Sequence, residues 1–478
     1  MQKMRLFEKE YPDLFAKLKA HDQVHLVRFW PELNEAQKKE LVNELSEIDF
    51  DQVEQFKALV GNSGKAPHYR PGTLVPLQVI ELPKSEQEKK AYQEAFKIGE
   101  EALRKGRVGV VLVAGGQGTR LGFDGPKGTF PVGPITARTL FQYHTEKIMA
   151  LEKIYSTIIP FYIMTSEANH QQTISFFKQH RYFGRQAERF VFFKQGMHPA
   201  ISAEGRIFLA DKYRLSRSPD GHGGLLKAIK KNCVLEDMEN RGLEILFYFQ
   251  VDNVLVNLCD PAFLGFHILQ HSEMSAKTVY KSHPEEKLGH IGTIDGKICT
   301  IEYTELSRDE MYAVNADGRL KFGQGSIAIH VFNVSFFKRL LQTEGSALPY
   351  HVAHKKIPHV NDAGTLVNPA KANGYKIEQF IFDAFPFAEK VLVMETDRKS
   401  DFSPIKNAAG DDSVQAARQD LANMWGGWLE ELGVAIAKTP QGQAAIRIEI
   451  SPLFALDKKQ LENVLPKNYT SKGDILLE

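Results

Sequence analysis

From Val108 onward the chain alternates between two hydrophobic periods. Continuous apolar runs of strand length occur at Val108–Val113, 158–164, 189–193 and 245–251. Between them lie longer stretches, such as 139–153 and 169–180, whose apolar residues recur every three to four positions. Uninterrupted apolar runs suit strands covered on both faces, and the longer period suits amphipathic helices. The alternation predicts an α/β sheet, largely parallel in its first half. The pattern changes over 288–335. Runs at 291–294, 298–303 and 327–334 predict a β-meander, with Asp295-Gly296 as the turn of its first hairpin.

The flanking segments read differently. Residues 1 to about 60 are helical in pattern, with Leu41, Val42 and Leu45 on one face behind a cap at Asn34. Pro67, Pro71, Pro76 and Pro83 make the segment 61–83 extended or looped. Ser85 with Glu88 has the spacing of a capping box for a charged helix running to about Lys105. A helix at 416–432 and an alternating strand at 446–450 close the chain. The expected division is a mostly helical lobe at 1–100, a central α/β domain at 101–395, and a small α+β domain at 396–478.

Composition narrows the class. The 478 residues are 43% hydrophobic and 25% charged, ordinary for a globular protein with room for two or three packed units. Sixty Lys+Arg against 59 Asp+Glu give a formal charge of +1, so no global field favours nucleic acid or a membrane surface. An anionic substrate must then be held by locally placed cations. Three cysteines (Cys233, Cys259, Cys299) lack metal-ligand spacing and fit a reducing compartment. The opening residues have no apolar signal region, and no run approaches 18 apolar positions, so a cytoplasmic location is expected.

The chemistry concentrates after the first long apolar run, in VAGGQGTRLGFDGPKGTFPVG. Gly115, Gly116 and Gly118 leave backbone N–H groups free to surround phosphate oxygens. Arg120 adds planar, bidentate recognition, and Lys127 a mobile point charge. A P-loop is excluded, because no Gly-Lys-Ser/Thr follows. The dinucleotide fingerprint is excluded as well, because Leu121 stands where its third glycine belongs.

Gly115-Gly116-x-Gly118-Thr119-Arg120 followed by Pro126-Lys127 resembles the signature of sugar-nucleotide nucleotidyltransferases. Four further islands resemble the eukaryotic-type UDP-sugar pyrophosphorylases, and among them the N-acetylhexosamine branch; the likeness spans about 80–410. The fold this implies is a Rossmann-like (GT-A-like) central sheet. The activity it implies is uridylyl transfer: UTP and a sugar 1-phosphate give a UDP-sugar and pyrophosphate with Mg²⁺. The enzyme is expected to be a monomer or weak oligomer.

The resemblance also assigns residues. Val113, Ala114, Gly115, Gly116 and Lys127 fall on the nucleotide loop, and Gln195 takes the uracil edge, for which an amide offers both donor and acceptor. Gly221 and His222, in Ser-Pro-Asp-Gly-His-Gly-Gly, approach base and sugar; the same turn could simply cap the following helix. Asp252, at the end of an apolar strand, is the Mg²⁺ ligand beside the phosphates, or an acceptor of loop N–H bonds. Gly289, Glu302 and Tyr303 match sugar-hydroxyl contacts. Lys376, Phe380 and Phe382 match the phosphate and acetamido side, although the two rings, sharing a face of a strand, could equally be core. Lys406 matches the lysine that reaches the sugar phosphate, and Arg120, Lys127 and Lys406 form the catalytic set. Two positions depart from the branch: His222 replaces a usual Asn, and Ser326 replaces the Asn of Ala-Gly-Asn. N-acetylglucosamine 1-phosphate is the implied substrate, with glucose 1-phosphate or a broader range of sugars as the alternative. A non-catalytic nucleotide-sugar binder and a nucleotide-dependent kinase are the rival classes. The histidines of HVAHKKIPHV (His351, His354, His359) are not expected to bind metal, since Pro358 breaks a helix and no carboxylate or Cys stands nearby in sequence.

Overall fold

The computed structural model describes residues 4–63, 72–343, 348–471 and 473–478. Pro67 and Pro71 of the expected loop lie outside them. The chain folds as two compact units, each assembled from three separate stretches. Their limits differ from the three consecutive domains expected from sequence.

The first unit gathers Met1–Pro71, Gly196–Leu225 and Leu348–Asp383. Its helix α1 (Glu35–Ser46) starts at the expected cap, Asn34, which forms a full capping box with Gln37. Leu41 and Leu45 of α1 and Val53 and Phe56 of α2 (Phe50–Ser63) enter a core with Trp30, Ile201, Ile207 and Ile377. The strand His351–Lys355 pairs antiparallel with Gly374–Glu378. His351 and His354 thus stand on a strand rather than a helix.

The second unit is built on a ten-stranded sheet. In chain order its strands are β1 (Leu74–Pro76), β2 (Val108–Val113), β3 (Phe161–Thr165), β4 (Phe190–Lys194), β5 (Ile245–Gln250), β6 (Met274–Tyr280), β7 (His290–Ile294), β8 (Lys297–Ile301), β9 (Gln324–Asn333) and β10 (Val391–Glu395). Strands β5, β2, β3 and β4 run parallel in that order. The apolar sequence of β2, VGVVLV, is buried almost throughout because parallel neighbours flank it and helices cover it. Strand β3 begins three residues later than expected, after Pro160, and Ile158 is exposed.

The second half of the sheet is mostly antiparallel, with β10 alone pairing parallel to β6, and it corrects the expected meander. Strands β7 and β8 do form a hairpin through Asp295 (φ 49°) and Gly296 (φ 79°). Strand β9, however, pairs with β5, β6 and β7, not with β8. It lies inside the sheet and joins its two halves.

Helix α3 (Glu86–Arg104) starts at the Ser85–Glu88 capping box and packs on α4 (Pro261–Leu269) at backbone contact. Helix α5 (Val414–Glu431) sends Leu421, Trp425 and Leu429 into the same core as β2 and β5. That continuity places 396–478 in the sheet's unit. No helix of the described residues is long and apolar enough to cross a membrane.

Candidate active site

Parallel register brings the carboxyl ends of β2, β3, β4 and β5 to one edge of the sheet. Val113 stands opposite both Met164 and Gln250, and Thr165 opposite Lys194. Loops leaving these ends must converge there, where α/β sheets hold their ligands.

The glycine loop is tied down at several points. Ala114 N donates to Met164 O at 2.8 Å, and Lys127 N to Gly116 O at 3.1 Å. The buried Asn169, just before helix 170–179, donates its amide to Ala114 O (2.9 Å) and Gly116 O (3.3 Å). Sequence reading assigned Asn169 no role; its position just ahead of a helix was the only signal. Gln195 follows β4, is 8% exposed, and lies against the loop. A Cβ on Gly115 would come within 2.3 Å of Gln195 Oε1, so only glycine lets loop and amide meet.

Asp252 enters from the end of β5, where Val251 N donates to Val113 O at 3.1 Å. Its carboxylate Oδ2 lies 3.0 Å from Lys127 Nζ, and both side chains are largely buried. Lys127 is therefore fixed at one point, not mobile as expected. Burial pushes the Asp252 carboxyl up, but the charges of Lys127 and Lys406 and the Lys127 hydrogen bond together hold it below its ordinary value. Lys406 follows a strap in which Ile405 N donates to Asp252 O at 3.0 Å. Its ammonium lies 3.7 Å from Asp412 and 5.8 Å from the centre of the Phe402 ring. Arg120 sits on an exposed turn, and among the described residues its side chain makes no hydrogen bond or ion pair.

Glu302, Gly289 and Ser326 meet elsewhere on the same unit. Ser326 N donates to Gly289 O at 2.8 Å, and Glu302 Oε1 would lie 3.6 Å from a Cβ on Gly289. Tyr303 is half-buried beside Glu302 in sequence. Lys281, which sequence reading passed over, is 5% exposed just after β6. Burial lowers its pKa, opposed by Glu286 and Glu302.

Gly221, His222, Lys376, Phe380 and Phe382 belong to the first unit. The His222 ring stacks on Phe380 at 5.2 Å and lies 5.4 Å from Phe382; the two phenyl rings are 5.1 Å apart. Phe380 and Phe382 do not share a strand face: the strand ends at Glu378, and Ile381–Phe387 is a 3-10 turn. His222 Nδ1 accepts from Ile381 N at 3.1 Å. Burial and the neighbouring His351 push the His222 pKa down to about 4. His351 Nε2 is 2.7 Å from Asp383 Oδ2, a carboxylate partner that sequence proximity did not reveal. Lys376 is half-buried on strand 374–378.

Among the described residues no three His, Cys, Asp or Glu side chains are grouped to hold a metal by themselves. Asp252 nonetheless fits Mg²⁺, which takes one or two carboxylates and completes its shell with water and phosphate oxygens. Its depressed pKa keeps it anionic at neutral pH.

The sequence matches the family model described as UTP–glucose-1-phosphate uridylyltransferase over residues 68–424. It is 36% identical to human UDP-N-acetylhexosamine pyrophosphorylase-like protein 1, over 94% of this chain and 94% of that protein. Identity to UDP-N-acetylglucosamine pyrophosphorylase of Saccharomyces cerevisiae is also 36%, covering 95% and 97%. The structure superposes with a TM-score of 0.83 on the uridine diphosphate N-acetylglucosamine pyrophosphorylase of Trypanosoma brucei, crystallised with an inhibitor. That likeness covers 97% of each chain at 26% identity.

Proposed function

The chain belongs to the UTP–glucose-1-phosphate uridylyltransferase family, and from that membership we propose that it makes UDP-N-acetylglucosamine and pyrophosphate from UTP and N-acetylglucosamine 1-phosphate. The observation that carries this reading is the grouping of Lys127, Asp252 and Lys406 beside a glycine loop that Gln195 closes. The layout is that of a Rossmann-like (GT-A-like) nucleotidyltransferase. The three free cysteines suit cytoplasmic residence.

In this reading the loop from Val113 to Gly116 cradles the triphosphate and Gln195 pairs with uracil. A sugar phosphate oxygen attacks the α-phosphorus in line. A new P–O bond forms, the bond from the α-phosphorus to the bridging oxygen breaks, and pyrophosphate leaves with the electron pair. The attacking oxygen is anionic at pH 7, so no general base is required. Catalysis then rests on positioning and charge stabilisation. Arg120 and Lys127 hold the triphosphate and the leaving pyrophosphate; Lys406 lowers the repulsion between two anions and aligns the attacking one. Asp252 would hold Mg²⁺, which when bound supplies charge neutralisation across phosphate oxygens.

Glu302, Tyr303, Gly289 and Ser326 are assigned to the sugar hydroxyls. Gly221, His222, Phe380 and Phe382 are assigned to base and acetamido recognition, and Lys376 to phosphate. His222 is neutral and carries its proton on Nε2, because Nδ1 accepts a backbone bond. An Nε2–H donor can replace the donor half of an asparagine amide, which supports an N-acetylated sugar despite the changed residue. Parallel assays of pyrophosphate release with the 1-phosphates of N-acetylglucosamine, N-acetylgalactosamine and glucose test the reading. The N-acetylglucosamine ester should give the highest kcat/KM; a preference for glucose 1-phosphate would move the enzyme to the UDP-glucose branch.

A further inference from the structure

Lys406 and Asp252 are 154 positions apart in sequence, and a short buried strap, 401–405, holds them together. We propose that Asn253 is the positioning residue that sets Lys406 for catalysis, by clamping this strap from both sides. The inference rests on the role proposed above for Lys406.

Asn253 is 3% exposed. Its Nδ2 donates to Asp401 O at 2.7 Å, and its Oδ1 accepts from Ser403 N at 3.0 Å. Backbone pairing continues the contact: Asn253 bridges Pro404 in antiparallel fashion, and Ile405 N donates to Asp252 O at 3.0 Å. One amide thus uses both donor and acceptor on the two backbone groups that precede the lysine. No other side chain of this length supplies both in that geometry.

The far end of the strap is anchored in a buried ionic network. Asp401 is 1% exposed; its carboxylate accepts from Asn257 N (2.8 Å) and Thr396 Oγ1 (2.9 Å) and pairs with the Lys277 ammonium. Lys277, fully buried on β6, also pairs with Asp260 at 2.8 Å. Burial alone would push the lysine's pKa down, yet the two carboxylates raise it, so it stays charged. Breaking such a network is costly, so Asp401 is a fixed reference point. Asn253 transfers that position to Ser403, and the strap carries it through Ile405 to Lys406. Asn253 has neither charge nor exposure with which to meet substrate. Its action must pass through its neighbours.

Misplacing a catalytic group by about 1 Å can cost roughly 100-fold in rate. Steady-state kinetics of Asn253→Ala, Lys406→Ala and the double variant test the inference. Asn253→Ala should lower kcat on the order of 10- to 100-fold with the UTP KM little changed. The double variant should be no slower than Lys406→Ala alone, within about twofold, because a clamp without its lysine positions nothing. Losses that multiply in the double variant would overturn the inference and make Asn253 an independent structural residue. Wild-type turnover in Asn253→Ala would overturn it equally. Wild-type turnover in Lys406→Ala would instead remove the assignment of Lys406, and the inference with it. Should Asn253→Ala fail to fold, Asn253→Asp keeps the shape but turns the donor to Asp401 O into a charged acceptor that repels it, opening the clamp; the same non-additivity with Lys406→Ala is expected.

Discussion

At the scale of single residues, the 3.0 Å pair of Lys127 with Asp252 sets the protonation state of the candidate metal ligand. The folded carboxyl is held below its ordinary value of 3.8, so the pair stabilises the fold at all pH above that value. Its contribution is lost only as pH falls through the lower, folded value. Lys127→Met leaves burial opposed only by Lys406 and by the carboxylate's own backbone N–H, and the carboxyl pKa should rise. The acid limb of the kcat/KM profile should then move to higher pH than in the wild type; an unmoved limb would separate Asp252 from catalysis. Arg120→Ala and Lys406→Ala should each lower kcat about 100-fold, the loss of one cation at developing charge. Near-wild-type rates in either would strike that residue from the mechanism. The places of the glycine loop and Asp252 at strand ends were readable from the residues, each following an apolar run, whereas Gln195 was singled out by the family resemblance alone. Asn253, next to Asp252, drew no role from the sequence, since its partners Asp401 and Ser403 lie about 150 positions away.

At the scale of elements, the strongest constraint is the crossing of α3 on α4. A Cβ on Gly99 would lie 1.9 Å from Pro261 O, and one on Gly265 would lie 1.7 Å from Ala95 O. Helix backbones in direct contact cannot admit a methyl group without moving apart. Gly99→Ala should destabilise by about 3 kcal/mol or more, the upper range for overpacking. Ser85→Ala removes only the cap of the same helix and should cost about 1 kcal/mol. Urea unfolding monitored by circular dichroism compares the two; equal losses would contradict so close a crossing. The cap at Asn34 and the capping box at Ser85 were legible because they are local. The glycine crossing and the interior position of β9 were not, since both depend on partners distant in sequence.

At the scale of the molecule, buried histidines make the fold sensitive to acid. Burial lowers His25, His222 and His267 to about 4 and His144 to about 3. Their unfolded pKa is about 6.5, so between that pH and about 4 the unfolded chain binds the extra protons. The histidines' contribution should be full above pH 6.5 and fall as pH drops through this window. Glu44 and Asp420, which burial pushes up, act in the opposite direction but are fewer. Thermal melts should therefore give a markedly lower Tm at pH 5 than at pH 7; a flat or rising Tm would contradict the burial of these rings. The two interleaved units were not legible in the sequence, because compactness joins stretches such as Gly196–Leu225 and Leu348–Asp383 that no local pattern connects.

Phosphorus NMR of a mixture of the enzyme, UTP, N-acetylglucosamine 1-phosphate and Mg²⁺ tests the activity most directly. The two coupled resonances of a UDP-sugar and the signal of free pyrophosphate should appear in equal amounts as both substrates are consumed. Release of orthophosphate without a UDP-sugar, or an unchanged spectrum, would contradict uridylyl transfer at this site.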